Sequence, residues 1–153
     1  MLNTIVTGQP TEKPPLLIAH GLFGSARNWG VIARRLSDSR QVLSVDMRNH
    51  ADSAWFDSHT YPDQAADLAK VIAANGGKVD LLGHSMGGKA AMVLAATTPQ
   101  LINRLIVVDI APHAYSHTQL HLAQAMQALD PNSGASRAEA DQLLQATTPD
   151  ATV

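Results

Sequence analysis

The sequence predicts an α/β protein: a mostly parallel sheet with helices on both faces. Three observations carry that expectation. Short apolar runs alternate with stretches of helical period in the order β-α-β-α-β-α-β. Runs such as "LIVV" (105–108) have no polar alternation, as strands buried on both faces require. With 153 residues, 45% apolar and 16% charged, the chain is of a size and make-up that folds around one core.

The elements follow in order. "PLLIAH" (15–20) reads as a buried strand ended by the glycines of "HGLFGS" (20–25). In "NWGVIARRL" (28–36) the apolar positions 29, 32, 33 and 36 share one face of a short helix. "QVLSVD" (41–46) is a second strand, and "PDQAADLAKVIAAN" (62–75) a helix with proline in its first turn and glycines after its end. "KVDLLG" (78–83) gives a third strand, "SMGGKAAMVLAATTP" (85–99) a third helix and "RLIVVDI" (104–110) a fourth strand. From about residue 112 the character changes. "SHTQLHLAQAMQALD" (116–130) and "SRAEADQLLQA" (136–146) predict two polar-faced helices joined by "PNSGA". The expected organisation is therefore a sheet-bearing core over 1–111 and the start of a helical lid over 112–153. No strand follows the two helices, so the sheet is expected to be incomplete.

Composition excludes several function classes. A formal charge of −2 with scattered Lys and Arg offers neither a basic stripe for nucleic acid nor a polybasic membrane patch. The longest apolar run, Ala90 to Ala96, is far too short to span a bilayer. "MLNTIVTGQP" lacks the basic start and apolar core of a secretory signal, so a cytoplasmic location is expected. With no cysteine there is no disulfide framework, thiolate nucleophile or Cys-based zinc site.

Gly83-His84-Ser85-Met86-Gly87 matches G-x-S-x-G. The string alone is weak, but "VDLLG" before it and "GGKAAMVLAA" after it supply the strand and helix between which a tight turn exposes a serine Oγ. Small flanking residues are needed there because a Cβ would crowd the neighbouring strand and helix. The competing reading is a serine that merely caps the helix after a glycine turn. If Ser85 is a nucleophile, the Met86 N–H at the helix start would face a developing oxyanion. "HGLFGS" follows the first strand and can bring a second N–H over the serine, with Leu22 as the preferred donor and Phe23 lining an acyl pocket. That loop is neither G-x-G-x-x-G nor a Walker A sequence, so phosphate binding is disfavoured. Asp109 and Asp46 each end a strand, on the edge where open α/β sheets bind ligands. Spacing does not choose between them.

Together, "HGLFGS" (20–25), "VDMRNHADS" (45–53), "GHSMGGKA" (83–90) and "VVDIAPHAY" (107–115) resemble the α/β-hydrolase family. Within it they are most similar to small bacterial esterases of the YbfF type and their mitochondrial relatives. The resemblance implies Ser85 as nucleophile, Asp109 as triad acid, and oxyanion donors at Leu22 and Met86. No cofactor or metal is expected, and "GLFG" with a lid rich in Leu, Met and Ala suggests a small or medium acyl ester as substrate. The resemblance turns the choice against Asp46, which is expected to anchor the "MRNH" loop. Ala51 departs from the family, whose loop reads glycine after "RNH"; if that glycine serves a positive φ, the loop must bend differently here.

The base is the difficulty. His84 leaves the elbow in another direction, His20 is expected to brace the oxyanion loop, and His50 and His59 flank the loop after the second strand. His113, His117 and His121 would stack on one face if helix ran through all three, a spacing able to bind a metal. Pro112 and the absence of an acid on that face favour a solvated or lid-packed surface instead. In this fold the triad runs Ser, acid, His in chain order, and the resemblance places the histidine beyond residue 153. The expectation is the N-terminal part of a serine ester hydrolase, inactive without a C-terminal companion segment. Thioester, C–C or lyase chemistry on the same site, or a non-catalytic remnant, are the alternatives.

Overall fold

The computed structural model describes residues 1–115, 118–129 and 136–147. The chain divides into two compact units, Met1–Pro112 and His113–Val153.

The first unit is a five-stranded sheet in the order β1-β3-β2-β4-β5. Its strands are β1 (Thr4–Thr7), β2 (Leu16–Ala19), β3 (Val42–Val45), β4 (Val79–His84) and β5 (Ile102–Val108). All neighbouring pairs are parallel except β1 on β3. The helices are α1 (Gly30–Leu36), preceded by a 3-10 turn over Ala26–Trp29, α2 (Tyr61–Ala74) and α3 (Met86–Thr97). β1 is additional to the four expected strands. Its four residues form a partly exposed edge, too short to register as an apolar run, although Ile5-Val6 between threonines carries β-branched preference.

Successive residues of a strand point to opposite faces, and β2 is buried on both. Leu17 and Ala19 join Leu43, Val45 and Leu81 in a core with Leu68 and Ile72 of α2 and Ala90, Ala91 and Leu94 of α3. Leu16 and Ile18 join Val42 and Leu82 beneath Ala33 of α1 and Trp29. Helices thus cover both faces over the sheet centre. β5 is different. Its "LIVV" run predicts burial on both faces, yet Leu105 and Ile106 are 37% and 41% exposed. The strand is an edge, so hydrophobicity reports what it is suited to bury rather than what covers it here.

Helix ends follow local chemistry. Thr60 and Asp63 form a capping box at the start of α2, with Pro62 in the first turn, and Gly76 and Gly77 take positive φ after its end. In the second unit, α4 spans Leu120–Gln127 and α5 Arg137–Thr147. α4 is shorter than the expected 116–130 helix, and Ser136 and Glu139 pair reciprocally at the start of α5. The linker "PNSGA" (131–135) and the terminal residues 148–153 lie outside the described residues.

Candidate active site

The junction of β4 and α3 is a sharp elbow. Ser85 sits there at φ +48°, ψ −113°, a backbone conformation that side chains rarely adopt and that costs about 1–3 kcal/mol unless its surroundings impose it. The surroundings do. A Cβ on Gly83 would collide with the Gly87 carbonyl, and one on Gly87 with the carbonyls of Ala19 and His20. The Ser85 N–H donates to the Val108 carbonyl (3.0 Å) and the Gly87 N–H to the His20 carbonyl (3.2 Å), tying the elbow to the ends of β5 and β2. Ser85 occupies the position where a serine normally caps a helix, but its side chain makes no capping hydrogen bond. Among the described residues, the hydroxyl that capping would have consumed has no hydrogen-bond partner.

The loop after β2 passes over this elbow: a Cβ on Gly21 would lie 2.8 Å from His84 Nδ1 and 3.2 Å from Ser85 Cβ. The loop closes through the Gly24 N–H on the Gly21 carbonyl (3.0 Å). His20 is fully buried and anchors it at both ring nitrogens, Nδ1 to the Gly21 carbonyl (2.7 Å) and Nε2 to the Met47 N–H (3.0 Å). Only a neutral ring protonated at Nδ1 satisfies both partners. Burial, only partly opposed by the Gly21 contact, holds its pKa below the usual imidazole value. Phe23 takes φ +61° and donates its N–H to His50 Nε2 (3.3 Å). Among the described residues, the amides of Leu22 and Met86 donate to nothing.

The two strand-end aspartates have separated environments. Asp46 is buried, and its carboxylate accepts from the Asn3 side chain (2.7 Å) and the amides of Ala26 (2.7 Å) and Asp52 (3.3 Å). Burial alone would raise its pKa, but these bonds prevail and hold it below the usual carboxylate value. It fastens the N-terminus, the 3-10 turn and the "MRNH" loop together, as expected from the resemblance. The Asp109 side chain is 84% exposed at the end of β5, with one oxygen 3.7 Å from His84 Nε2. Its φ of +56° turns the chain immediately after the strand.

No imidazole among the described residues hydrogen-bonds the Ser85 hydroxyl. His84 packs edge-on to Trp29 (ring centroids 6.1 Å apart) with Nε2 toward Asp109. His50 and His59 stack at 5.7 Å, and burial lowers the pKa of His59. The His113–His117–His121 face does not form on one helix, because α4 begins at Leu120; His117 lies outside the described residues. Ala51 corrects a further expectation. The loop does not bend differently to avoid positive φ: Ala51 itself takes φ +43°.

Beside the elbow lies an open cleft of about 330 Å³ lined by Leu22, Asn28, Trp29, Ile32 and His84 together with His20, Gly21 and Gly24. Phe23 lies outside that lining, half-exposed at the loop tip. Sequence reasoning missed Trp29 and Ile32 as cleft residues; their place on the inner face of the first helix was the available signal. It also missed Arg48, buried between α2 and its loop with Nε on Asp67 (2.7 Å), Nη1 on the Ser58 carbonyl (2.9 Å) and the Phe56 ring 4.8 Å away.

Comparison with known proteins bears on the family and the fold. A family model described as the alpha/beta hydrolase fold matches residues 14–142. Esterase YbfF of Escherichia coli is 38% identical over 137 residues, which cover 88% of this chain and 54% of that protein. The sn-1-specific diacylglycerol lipase ABHD11 of Danio rerio is 42% identical over 142 residues, 86% of this chain and 45% of that protein. Among solved structures, a marine microorganism esterase superposes with a TM-score of 0.86 at 37% identity, covering 95% of this chain and 58% of the other. The chain spans about half the length of these relatives. Among the described residues, no helix is long and apolar enough to cross a membrane.

Proposed function

The chain belongs to the α/β-hydrolase family, and from that premise we propose that it forms the nucleophile-bearing part of a serine carboxylic ester hydrolase. The observation that supports this most is the Ser85 hydroxyl, held on a strained elbow at the head of α3 and capping nothing. A serine retained only to start the helix would bond its N2 or N3 amide.

In this reading Ser85 Oγ attacks the ester carbonyl carbon while an imidazole takes its proton. The carbonyl oxygen becomes an oxyanion held by the Leu22 and Met86 amides. The tetrahedral intermediate collapses, the carbonyl–alkoxy bond breaks, and the imidazolium returns its proton to the departing alcohol. Water then repeats the sequence on the acyl-serine and releases the acid. Asp109 orients the imidazole, which comes from a companion segment outside these 153 residues. Two features suit Asp109 to that role. It stands open at the strand end, and its 3.7 Å approach to His84 is too long to be a committed hydrogen bond. The same companion would cover Leu105 and Ile106 on the β5 edge. A cleft near 330 Å³, walled by Leu22, Trp29 and Ile32, suits a small or medium acyl group.

The test is a fusion of residues 1–153 to the part of the Escherichia coli relative that the match leaves uncovered. The expected result is p-nitrophenyl butyrate hydrolysis lost in Ser85→Ala, with an acyl adduct mapped to the Ser85 peptide. A folded, active fusion that turns over equally well as Ser85→Ala would overturn the assignment.

A further inference from the structure

We propose that His50 is a positioning residue for the oxyanion amide of Leu22, acting through the Phe23 peptide; its kinetic consequence rests on the ester-hydrolase reading above. The Leu22 N–H belongs to the peptide whose carbonyl is Gly21 O, and that oxygen is held by His20 Nδ1 (2.7 Å) and the Gly24 N–H (3.0 Å). The next peptide carries the Phe23 N–H, held by His50 Nε2 (3.3 Å). Leu22 therefore lies between two consecutive held peptides, and among the described residues its own N–H donates to nothing. The second jaw is the one under load. Phe23 sits at φ +61°, where a bulky residue is strained, so the loop relaxes toward extended backbone if the hydrogen bond is removed.

His50 is itself held in the form that this contact requires. Its Nδ1 lies 2.8 Å from the Arg48 carbonyl, which can only accept, so Nδ1 carries the proton and Nε2 is left as the acceptor that Phe23 needs. The ring meets His20 edge-on at 5.0 Å and His59 at 5.7 Å. Arg48 is in turn locked to Asp67 of α2, so the brace runs from a helix through the "MRNH" loop to the oxyanion loop. His20, His59 and Arg48 are the titratable groups seen against the ring.

The experiment compares His50→Phe, which keeps the ring and removes the acceptor, with His50→Gln, whose Oε1 can replace Nε2. In the ¹⁵N-labelled 153-residue chain, the wild-type His50 ring should show the Nδ1-protonated neutral tautomer. Phe23 amide exchange should quicken about 10-fold or more in His50→Phe and stay near wild type in His50→Gln. In the active fusion, His50→Phe should lower kcat about 100-fold with KM little changed, and His50→Gln should recover most of the rate. An Nε2-protonated ring, Phe23 exchange indifferent to His50→Phe, or an active fusion whose kcat ignores that substitution would each overturn the proposal while leaving the esterase reading intact. An active fusion whose turnover survives Ser85→Ala, alongside the expected tautomer and exchange, would instead remove the esterase reading and leave His50 as the clamp on the loop.

Discussion

The Ser85 amide donates to the Val108 carbonyl across 3.0 Å, so the elbow and the end of β5 are fastened at the residue just before Asp109. The proposed nucleophile and the proposed acid thus meet at one hydrogen-bonded junction, although Asp109 itself reaches into solvent. That contrast with Asp46 yields the first prediction. Asp46→Ala leaves a buried knot of donors without an acceptor and should cost about 3 kcal/mol in urea denaturation. Asp109→Asn should leave stability within about 0.5 kcal/mol and remove most turnover from the active fusion.

Glycine at 87 is a packing requirement. A Cβ there would lie 2.6 Å from the His20 carbonyl oxygen, and backbone cannot swing away as a side chain can. Gly87→Ala should destabilise by about 3 kcal/mol or more. Gly30, at the start of α1 with φ −56°, meets nothing closer than Arg34 Nη1 at 3.7 Å. Gly30→Ala should stabilise by about 0.5 kcal/mol, measured in the same denaturation series.

Ala51 holds a left-handed conformation that favours glycine. Relief of that strain outweighs the added freedom of the unfolded chain, so Ala51→Gly should raise stability by about 0.5–1 kcal/mol. A fall in the denaturation midpoint would mean that the loop holds Ala51 without strain.

The fold should weaken in mild acid. His20 and His59 both have pKa values below the 6.5 of a free imidazole, chiefly through burial. Below about pH 6.5 the unfolded chain binds protons that the folded chain does not, so stability falls as pH drops and levels off once the folded histidines also titrate. Urea midpoints measured from about pH 8 to pH 5 should decline, and His20→Gln should flatten part of the slope.

The sheet centre and the elbow were readable because their signals are local: apolar runs, helical period and glycines set around one serine. What escaped depends on partners distant in sequence. β1 exists because Thr4–Thr7 finds β3, the exposure of Leu105 and Ile106 depends on what lies beside β5, and the Phe23–His50 bond joins residues 27 positions apart. The choice between Asp46 and Asp109 was equally closed to spacing. What spacing does not show at Asp46 is the three donors arriving from Asn3, Ala26 and Asp52, which hold its carboxylate in the loop packing.

The most direct measurement is p-nitrophenyl butyrate hydrolysis by the folded 153-residue chain and by its fusion to the uncovered part of the Escherichia coli relative, each beside Ser85→Ala. The account predicts near-background rates for the chain alone, equal to its Ser85→Ala variant, and Ser85-dependent turnover by the fusion. Turnover by the chain alone well above that variant would contradict it, because an imidazole within these residues would then be reaching Ser85.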